Sequence, residues 1–399
     1  MNKIKINYQK ELEKIIKDID EEKVPSLMLH SCCGPCSSYC LEYLSEYFEI
    51  TVFYYNPNIY PSEEYDFRVE EQKKIIELTK TKNPIHMIEG KYEVEKFYEM
   101  AKGLEDIAEG GSRCHKCYEM RLKEAAKIGK ENGFDYFTTT LSISPHKNSQ
   151  VLNKIAEKVG KEIGIAHLPS DFKKNNGYKR SCDITREYGM YRQDYCGCEF
   201  SKKETEERNL KKDKENLRKE MIELAENLDE NYMKSSDEKI IEGLLKSEEY
   251  INSKNIFCYV GKRPEINTSI FIEKAIKDGK TIAVPYCVDD KIMKAYKIES
   301  IDDLRVGKYN ILEPDPDKSK EIDKEDLDLI VVPCCSVDMD GNRLGFGKGY
   351  YDRFLESIKA EKILLIREKQ IAKKIAVSKY DVKIEKIITE KGFYKILSD

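Results

Sequence analysis

Nine of the thirteen cysteines lie in the first half of this 399-residue chain. Seven of the nine fall in three clusters: Cys32-Cys33-Gly34-Pro35-Cys36, Cys114-His115-Lys116-Cys117 and Cys196-Gly197-Cys198. Packing cysteines scatter singly, and disulfide scaffolds belong to short secreted chains. Clustered thiols in a long chain therefore point to metal binding or electron transfer. The spacing of Cys114 and Cys117 lets two sulfurs reach one metal or one edge of a cluster. Adjacent side chains such as Cys32 and Cys33 diverge unless the backbone is irregular, and Gly34-Pro35 supplies that irregularity. Four thiolates from these two places suffice for a [4Fe–4S] cluster. Zinc, which adjacent cysteines suit poorly, and no metal at all stay open as alternatives.

Cys196-Gly197-Cys198 is a different object. A disulfide there closes a small strained ring, easily reduced, which is useless as a staple and suited to an electron relay. A second metal site or a plain pair of thiols are the alternatives. Cys36 is a candidate ligand of a second iron, while Cys40 and Cys182 read as structural. Near the end of this half, Phe172-Lys173-Lys174, Tyr178-Lys179-Arg180, Tyr188, Tyr191-Arg192 and Tyr195 mix aromatic and basic side chains. They read either as a solvated loop or as a phosphate and base-stacking surface for RNA, with His146-Lys147 lining the same cleft.

The second half carries Asp340 to Asp352, with Gly345, Gly347 and Gly349 alternating around Phe346 and Lys348. Glycines at that spacing let backbone N–H groups approach an anion, and Lys348 adds a positive charge. The spacing is neither that of a P-loop nor that of a dinucleotide fingerprint. A phosphate loop competes with a glycine-rich structural turn.

These residues need elements to position them. Residues 24 to 32 read as a buried strand, 37 to 48 as a helix, 50 to 58 as a strand ending in a turn at Asn56-Pro57, and 63 to 79 as a crossover helix. The alternation continues through a strand at 84 to 90, a helix at 121 to 132 and a strand at 136 to 144. That order predicts a parallel α/β sheet with the cysteines just beyond strand ends, where open parallel sheets bind ligands. Residues 201 to 220 are almost entirely charged and predict an exposed, helical connector. The expected domains are 1–204 and 205–399. Strands at 256–261, 281–287, 327–338 and 362–366, separated by helices, predict a second α/β domain. Cys258, Cys287, Cys334 and Cys335 end or sit within those strands and read as buried core thiols. The fold class expected is α/β: two parallel-sheet domains joined by a charged connector.

Composition bounds the rest. Formal net charge is -5, with 36% charged residues, so no global basic field advertises nucleic acid. No apolar run approaches the roughly 18 residues of a membrane span. The polar, charged N-terminus shows no signal peptide. A cytoplasmic location, with thiols kept reduced and no membrane partner, is the expectation.

Several segments, in order, resemble a known family. HSCCGPCSSY, FYYNPNIYP, EGGSRCHKCYEMRL, FTTTLSISPHKN, DFKKNNGYKRS and YRQDYCGCEFS, across about residues 24 to 201, resemble the cobalamin-independent epoxyqueuosine reductases, the QueH family. The resemblance implies removal of the epoxide oxygen of epoxyqueuosine in a tRNA anticodon, giving queuosine. It implies a [4Fe–4S] cluster on Cys32, Cys33, Cys114 and Cys117, a redox-active pair at Cys196 and Cys198, and an electron donor it does not identify.

Asp340 to Asp352 closely resembles the 5-formyltetrahydrofolate cyclo-ligases (methenyltetrahydrofolate synthetases). Lys214 to Arg218, Glu265 to Thr268, Arg367 to Gln370 and Tyr380 to Glu385 match that family in order, over about 210 to 395. The resemblance implies ATP as substrate and Mg²⁺ as cofactor. Lys214, Arg218, Arg343, Leu344, Gly345, Phe346, Gly347, Lys348, Gly349, Tyr350 and Tyr351 would hold ATP. Asp352 and Glu385 would bind magnesium, and Glu265, Phe346 and Tyr350 the 5-formyltetrahydrofolate. ATP would phosphorylate the N5-formyl oxygen, with Lys348 stabilising the transferring group, before N10 attacks. The rival to this bifunctional enzyme is a zinc-binding RNA module without redox chemistry, fused to a regulatory nucleotide-binding domain.

Overall fold

The computed structural model describes residues 5–20 and 22–396, the side chain of Tyr309 excepted. The chain divides into two compact units, Met1–Glu207 and Arg208–Asp399.

The first unit runs α1 (Tyr8–Lys17), β1 (Ser26–His30), α2 (Gly34–Leu44), β2 (Glu49–Tyr54), α3 (Ser62–Leu78), β3 (Ile85–Glu89), α4 (Val94–Ala101), α5 (Ser112–Glu131), β4 (Tyr136–Thr139), α6 (Ser149–Ile163), β5 (Ala166–His167) and α7 (Gly177–Glu187). α8 (Glu199–Glu226) begins in this unit, and the charged stretch lies within it. The sheet order is β3-β2-β1-β4-β5, and every pair is parallel. Alternation along β1 explains its continuous apolar run. Leu27 and Leu29 enter one core with Leu41 and Leu44 of α2. Met28 enters the opposite core with Leu122, Ala125 and Ala126 of α5. A strand buried on both faces favours apolar residues at successive positions, and each such side chain contributes about 1.5–3 kcal/mol. The strand order reverses between β1 and β4, so their carboxyl ends open a crevice. Cys32 and Thr140 follow these ends, and Cys32 N–H donates to Thr140 Oγ1 at 3.3 Å.

The second unit adds α9 (Glu230–Lys246), α10 (Glu248–Asn252), β6 (Asn255–Cys258), α11 (Ser269–Lys277), β7 (Thr281–Cys287), β8 (Met293–Ile298), β9 (Leu304–Val306), β10 (Leu312–Pro314), β11 (Glu321–Ile322), β12 (Leu329–Val332), β13 (Ser336–Val337), β14 (Arg343–Leu344), α12 (Tyr350–Leu355), β15 (Glu361–Leu365), β16 (Lys386–Thr389) and β17 (Gly392–Lys395). Its main sheet has the order β11-β8-β7-β6-β12-β15-β16-β17. The centre is parallel, as expected for an α/β unit. Both edges are antiparallel, which the sequence did not announce. The reason is connection length: Glu390-Lys391 alone joins β16 to β17, too short for a crossover. Pro333 ends β12, so the expected strand at 327–338 divides into β12 and β13. Among the described residues no helix is long and apolar enough to cross a membrane.

Candidate functional site

In the first unit, three helix starts carry the three cysteine clusters. Cys33 is the N-cap of α2, with extended φ -176° and ψ 160°, and Cys36 is in the first turn. The close approach of α3 explains Gly34: a β-carbon there would lie 2.6 Å from Glu71 O. Cys114 is in the first turn of α5, where Gly110 N–H donates to its Sγ at 3.2 Å. Cys198 directly precedes α8. Partial positive charge at helix N-termini favours thiolates at all three places.

The thiols of Cys32, Cys33 and Cys36 lie within 4.8 Å of one another, with Cys32 Sγ 3.9 Å from Cys33 Sγ. They share protons unevenly. Hydrogen bonds from Cys33 and Cys36 hold Cys32 well below the usual thiol range. The same bonds push Cys33 up to about 12 and Cys36 well above its ordinary value. Burial pushes Cys114 to about 11, Cys117 to about 12 and Cys198 upward. Cys114 packs in one apolar cluster with Cys32 and Cys33, and Cys117 in another with Cys198. Half-buried Lys147 ties the groups together: burial opposes its charge, but Cys196, Tyr118, Cys32 and Cys36 hold its pKa well above normal. All thirteen cysteines are free thiols.

Three arginines, each 1% exposed, brace this place. Arg121 on α5 donates from Nε to His30 Nε2 at 3.3 Å and from Nη2 to Asn56 Oδ1. Asn56 Nδ2 in turn holds Ser31 O at 2.9 Å. Arg113 joins Glu105 O (2.6 Å) to Glu204 Oε1 (3.1 Å) on α8. Arg68 on α3 pairs with Glu64 at 2.7 Å and donates to Cys196 O at 3.4 Å. None of the three was singled out from sequence. Arg121 follows Cys117 by one helical turn on the same face, a signal that was available.

In the second unit, β14 delivers Arg343 and Leu344 to the glycine segment, which ends at the N-cap of α12. Gly347 (φ +99°) and Gly349 (φ +67°) adopt left-handed backbone that favours glycine. Arg218 Nε donates to Gly345 O at 2.8 Å, and Lys214 pairs with Asp381. Buried Arg343 donates to Asp352 Oδ1 at 2.6 Å. Asp352, Asp381 and Glu385 line one cleft of about 910 Å³ with Gly349, Arg353 and Lys379. Lys348 and Phe346 are exposed. Tyr350 Oη donates to Asp289 O at 2.6 Å, and Tyr351 Oη is buried without a partner. Burial raises the Glu265 carboxyl to about 7.

Some expectations change. Phe172 is fully buried, so it cannot stack a base. Arg180 is engaged by both carboxylate oxygens of Glu42, and Lys173 by Asp171. Cys287 is half-buried rather than core; its backbone N–H meets Glu313, and burial, then Glu313, raises the thiol to about 12. Cys258, Cys334 and Cys335 are buried as expected.

The model of the family described as epoxyqueuosine reductase QueH matches residues 27–204. The chain is 44% identical over 206 residues to epoxyqueuosine reductase QueH of Staphylococcus epidermidis, covering 50% of this chain and 87% of that protein. The chain belongs to the QueH family. The QueH half is also 44% identical over 202 residues to the Streptococcus pyogenes protein of that name, covering 50% of this chain and 79% of the relative. Beyond it, the 5-formyltetrahydrofolate cyclo-ligase family model matches residues 210–390, so a cyclo-ligase domain follows the QueH domain in one chain. A solved 5,10-methenyltetrahydrofolate synthetase from Aquifex aeolicus aligns with 47% of this chain and 94% of its own, at 29% identity and a TM-score of 0.43.

Proposed function

We propose that the chain is a bifunctional enzyme, with a reductase domain at 1–204 and a cyclo-ligase domain at 205–399. The first reduces epoxyqueuosine to queuosine in a tRNA anticodon. The second converts 5-formyltetrahydrofolate to 5,10-methenyltetrahydrofolate with ATP.

The observation that carries the first activity is the gathering of Cys32, Cys33 and Cys36, with Lys147 tied electrostatically to Cys32, Cys36 and Cys196. Cys32, Cys33, Cys114 and Cys117 are the proposed ligands of a [4Fe–4S] cluster. The donor set fits in kind: Cys32 and Cys33 directly precede α2, Cys114 and Cys117 lie in the first two turns of α5, and all four are buried thiols, with cationic Arg121, Arg68 and Lys147 to balance their charge. Cys36 is free to hold a second iron. When bound, the cluster supplies electrons one at a time. Cys196 and Cys198 hold a pair: as the dithiol closes to a disulfide, two electrons and two protons become available. Removing the epoxide oxygen as water uses the same two electrons and two protons. Arg68 fixes the pair at Cys196 O. An external donor then reduces the disulfide.

In the second domain, Lys348 with the Gly345–Gly349 backbone, Lys214, Arg218 and Arg343 are the proposed ATP contacts. Leu344, Phe346, Tyr350 and Tyr351 enclose the same ligand. Asp352 and Glu385 are the proposed magnesium ligands; their meeting in one cleft supports this. Magnesium, when bound, offsets phosphate charge. Asp352 must then exchange part of its bond to Arg343. Glu265, half-buried and readily protonated, can donate or accept toward the folate beside Phe346 and Tyr350.

Two assays on the full chain test the proposal. Anaerobic incubation with epoxyqueuosine-containing tRNA and dithionite should yield queuosine. Incubation with 5-formyltetrahydrofolate and Mg-ATP should yield the methenyl chromophore. Failure of either removes that activity.

A further inference from the structure

Among the described residues of the cysteine unit, seven buried polar atoms have no hydrogen-bond partner, and four of them, Tyr54 Oη, Asn58 Oδ1, Arg68 Nη2 and Gln72 Nε2, lie on β2, the loop after it and α3. Their side chains are 0, 2, 1 and 0% exposed. A buried polar group left unpaired costs about 1–3 kcal/mol, so several around one turn signal a missing partner.

Their positions are constrained. Gln72 Oε1 accepts from Ser31 Oγ at 2.6 Å and Ser37 Oγ at 3.1 Å, and these serines flank the Cys32–Cys36 turn. Ser31 Oγ also reaches Cys33 O at 3.4 Å. The amide is pinned against that turn with its N–H groups unused. Arg68 lies one turn earlier on the same face of α3. Glu64 and Cys196 O hold its other nitrogens, and Tyr195 stacks 5.0 Å from its guanidinium. Tyr54 ends β2 beside Phe53, whose carbonyl accepts from Ser31 N at 3.0 Å. The Arg68 cation and the Tyr54 hydroxyl both feel Cys33. Burial opposes the Arg68 charge and Cys33 most strongly restores it. Burial and then Cys33 raise the Tyr54 hydroxyl.

The balance is three donors against one acceptor, Asn58 Oδ1. Sulfur of a neutral thiol is a weak acceptor. A thiolate or sulfide carries charge and takes stronger, charge-assisted hydrogen bonds. Resting on the proposal that Cys32, Cys33, Cys114 and Cys117 hold an iron–sulfur cluster, we propose that Arg68, Gln72 and Tyr54 donate hydrogen bonds to the sulfur atoms at Cys33 in the loaded protein. These bonds set its reduction potential. They stabilise the more negative, reduced form more than the oxidised one, and so raise the potential. Because Arg68 also grips Cys196 O, one guanidinium positions the dithiol and tunes the group that exchanges electrons with it.

The test uses the full chain purified anaerobically, as wild type, Tyr54→Phe and Arg68→Lys. Iron and acid-labile sulfide are counted, and the midpoint potential is read by optical titration. Both variants should keep wild-type iron and sulfide, and both midpoints should move to more negative values. Unchanged midpoints at unchanged iron overturn the inference and leave the reductase proposal standing. Loss of iron from both variants while the chain stays folded also overturns it, assigning these side chains to structure alone. A wild-type chain without iron and sulfide removes the underlying proposal, and this inference with it.

Discussion

Arg121 Nε donates to His30 Nε2 at 3.3 Å inside the first unit. Arg121 follows Cys117 by four residues, and His30 precedes Cys32 by two. One bond therefore locks the helix bearing the second cysteine cluster to the strand bearing the first. Burial, then Arg121, depresses His30 to about 3, so its ring stays neutral and can accept this bond.

Arg121→Lys shortens the reach and strands Asn56 and His30. A hydrogen bond to a charged group contributes about 1.5–3 kcal/mol. Urea unfolding of the full chain should show a loss of that order in the first unit, with less iron per chain. Wild-type stability and iron would mean that another contact aligns the two clusters.

Gly197 has φ +128°, and a β-carbon there would meet Arg68 Nη1 and Ile59 at 3.1 Å. Gly197→Ala should strain the turn by about 1–3 kcal/mol, displace Cys196 from Cys198 and slow reduction of tRNA-bound epoxyqueuosine with iron retained. Cys196→Ser should likewise keep iron and abolish turnover. Iron loss in Cys196→Ser would make that residue a ligand instead of a relay.

Lys348→Ala should raise the phosphoryl-transfer barrier by about 2 to 4 kcal/mol, as loss of one charge-stabilising donor does. That is a fall of roughly 30- to 1,000-fold in kcat of the folate reaction. Unchanged kcat removes Lys348 from the mechanism.

Glu265 titrates near 7 in the fold because burial disfavours its charge, against 4.5 ordinarily. Between those values the folded state keeps a proton that the unfolded state has lost. Stability of the second unit should therefore fall as pH rises from 4.5 to 7 and level off above, by at most about 3 kcal/mol at 1.36 kcal/mol per unit. Glu265→Gln should flatten this slope in unfolding curves taken across the range. A slope that persists assigns it to another group.

The cysteine spacing and apolar strands made much of the framework legible. Strands expected at 24–32 and 281–287 appear as Ser26–His30 and Thr281–Cys287. The strand expected at 136–144 stops at Thr139, because Thr139 Oγ1 accepts from Leu141 N–H and turns the chain into a short 3₁₀ helix. A threonine run has strand propensity but also the hydroxyls that end strands. α5 starts at Ser112, well before the expected 121, because its first turns are polar and carry no apolar period. The buried arginines and Gln72 were invisible for a related reason: a polar residue alone reads as surface, and only its partners, distant in sequence, reveal it as interior. β8, next to the edge strand β11, escaped because its apolar residues alternate with charged ones, as in Met293-Lys294-Ala295-Tyr296-Lys297-Ile298.

The most direct test of the account is the count of iron and acid-labile sulfide in the anaerobically purified chain. One [4Fe–4S] cluster on Cys32, Cys33, Cys114 and Cys117 predicts about four of each per chain, and one extra iron without sulfide if Cys36 holds a second ion. Zinc without sulfide, or no metal at all, would contradict it.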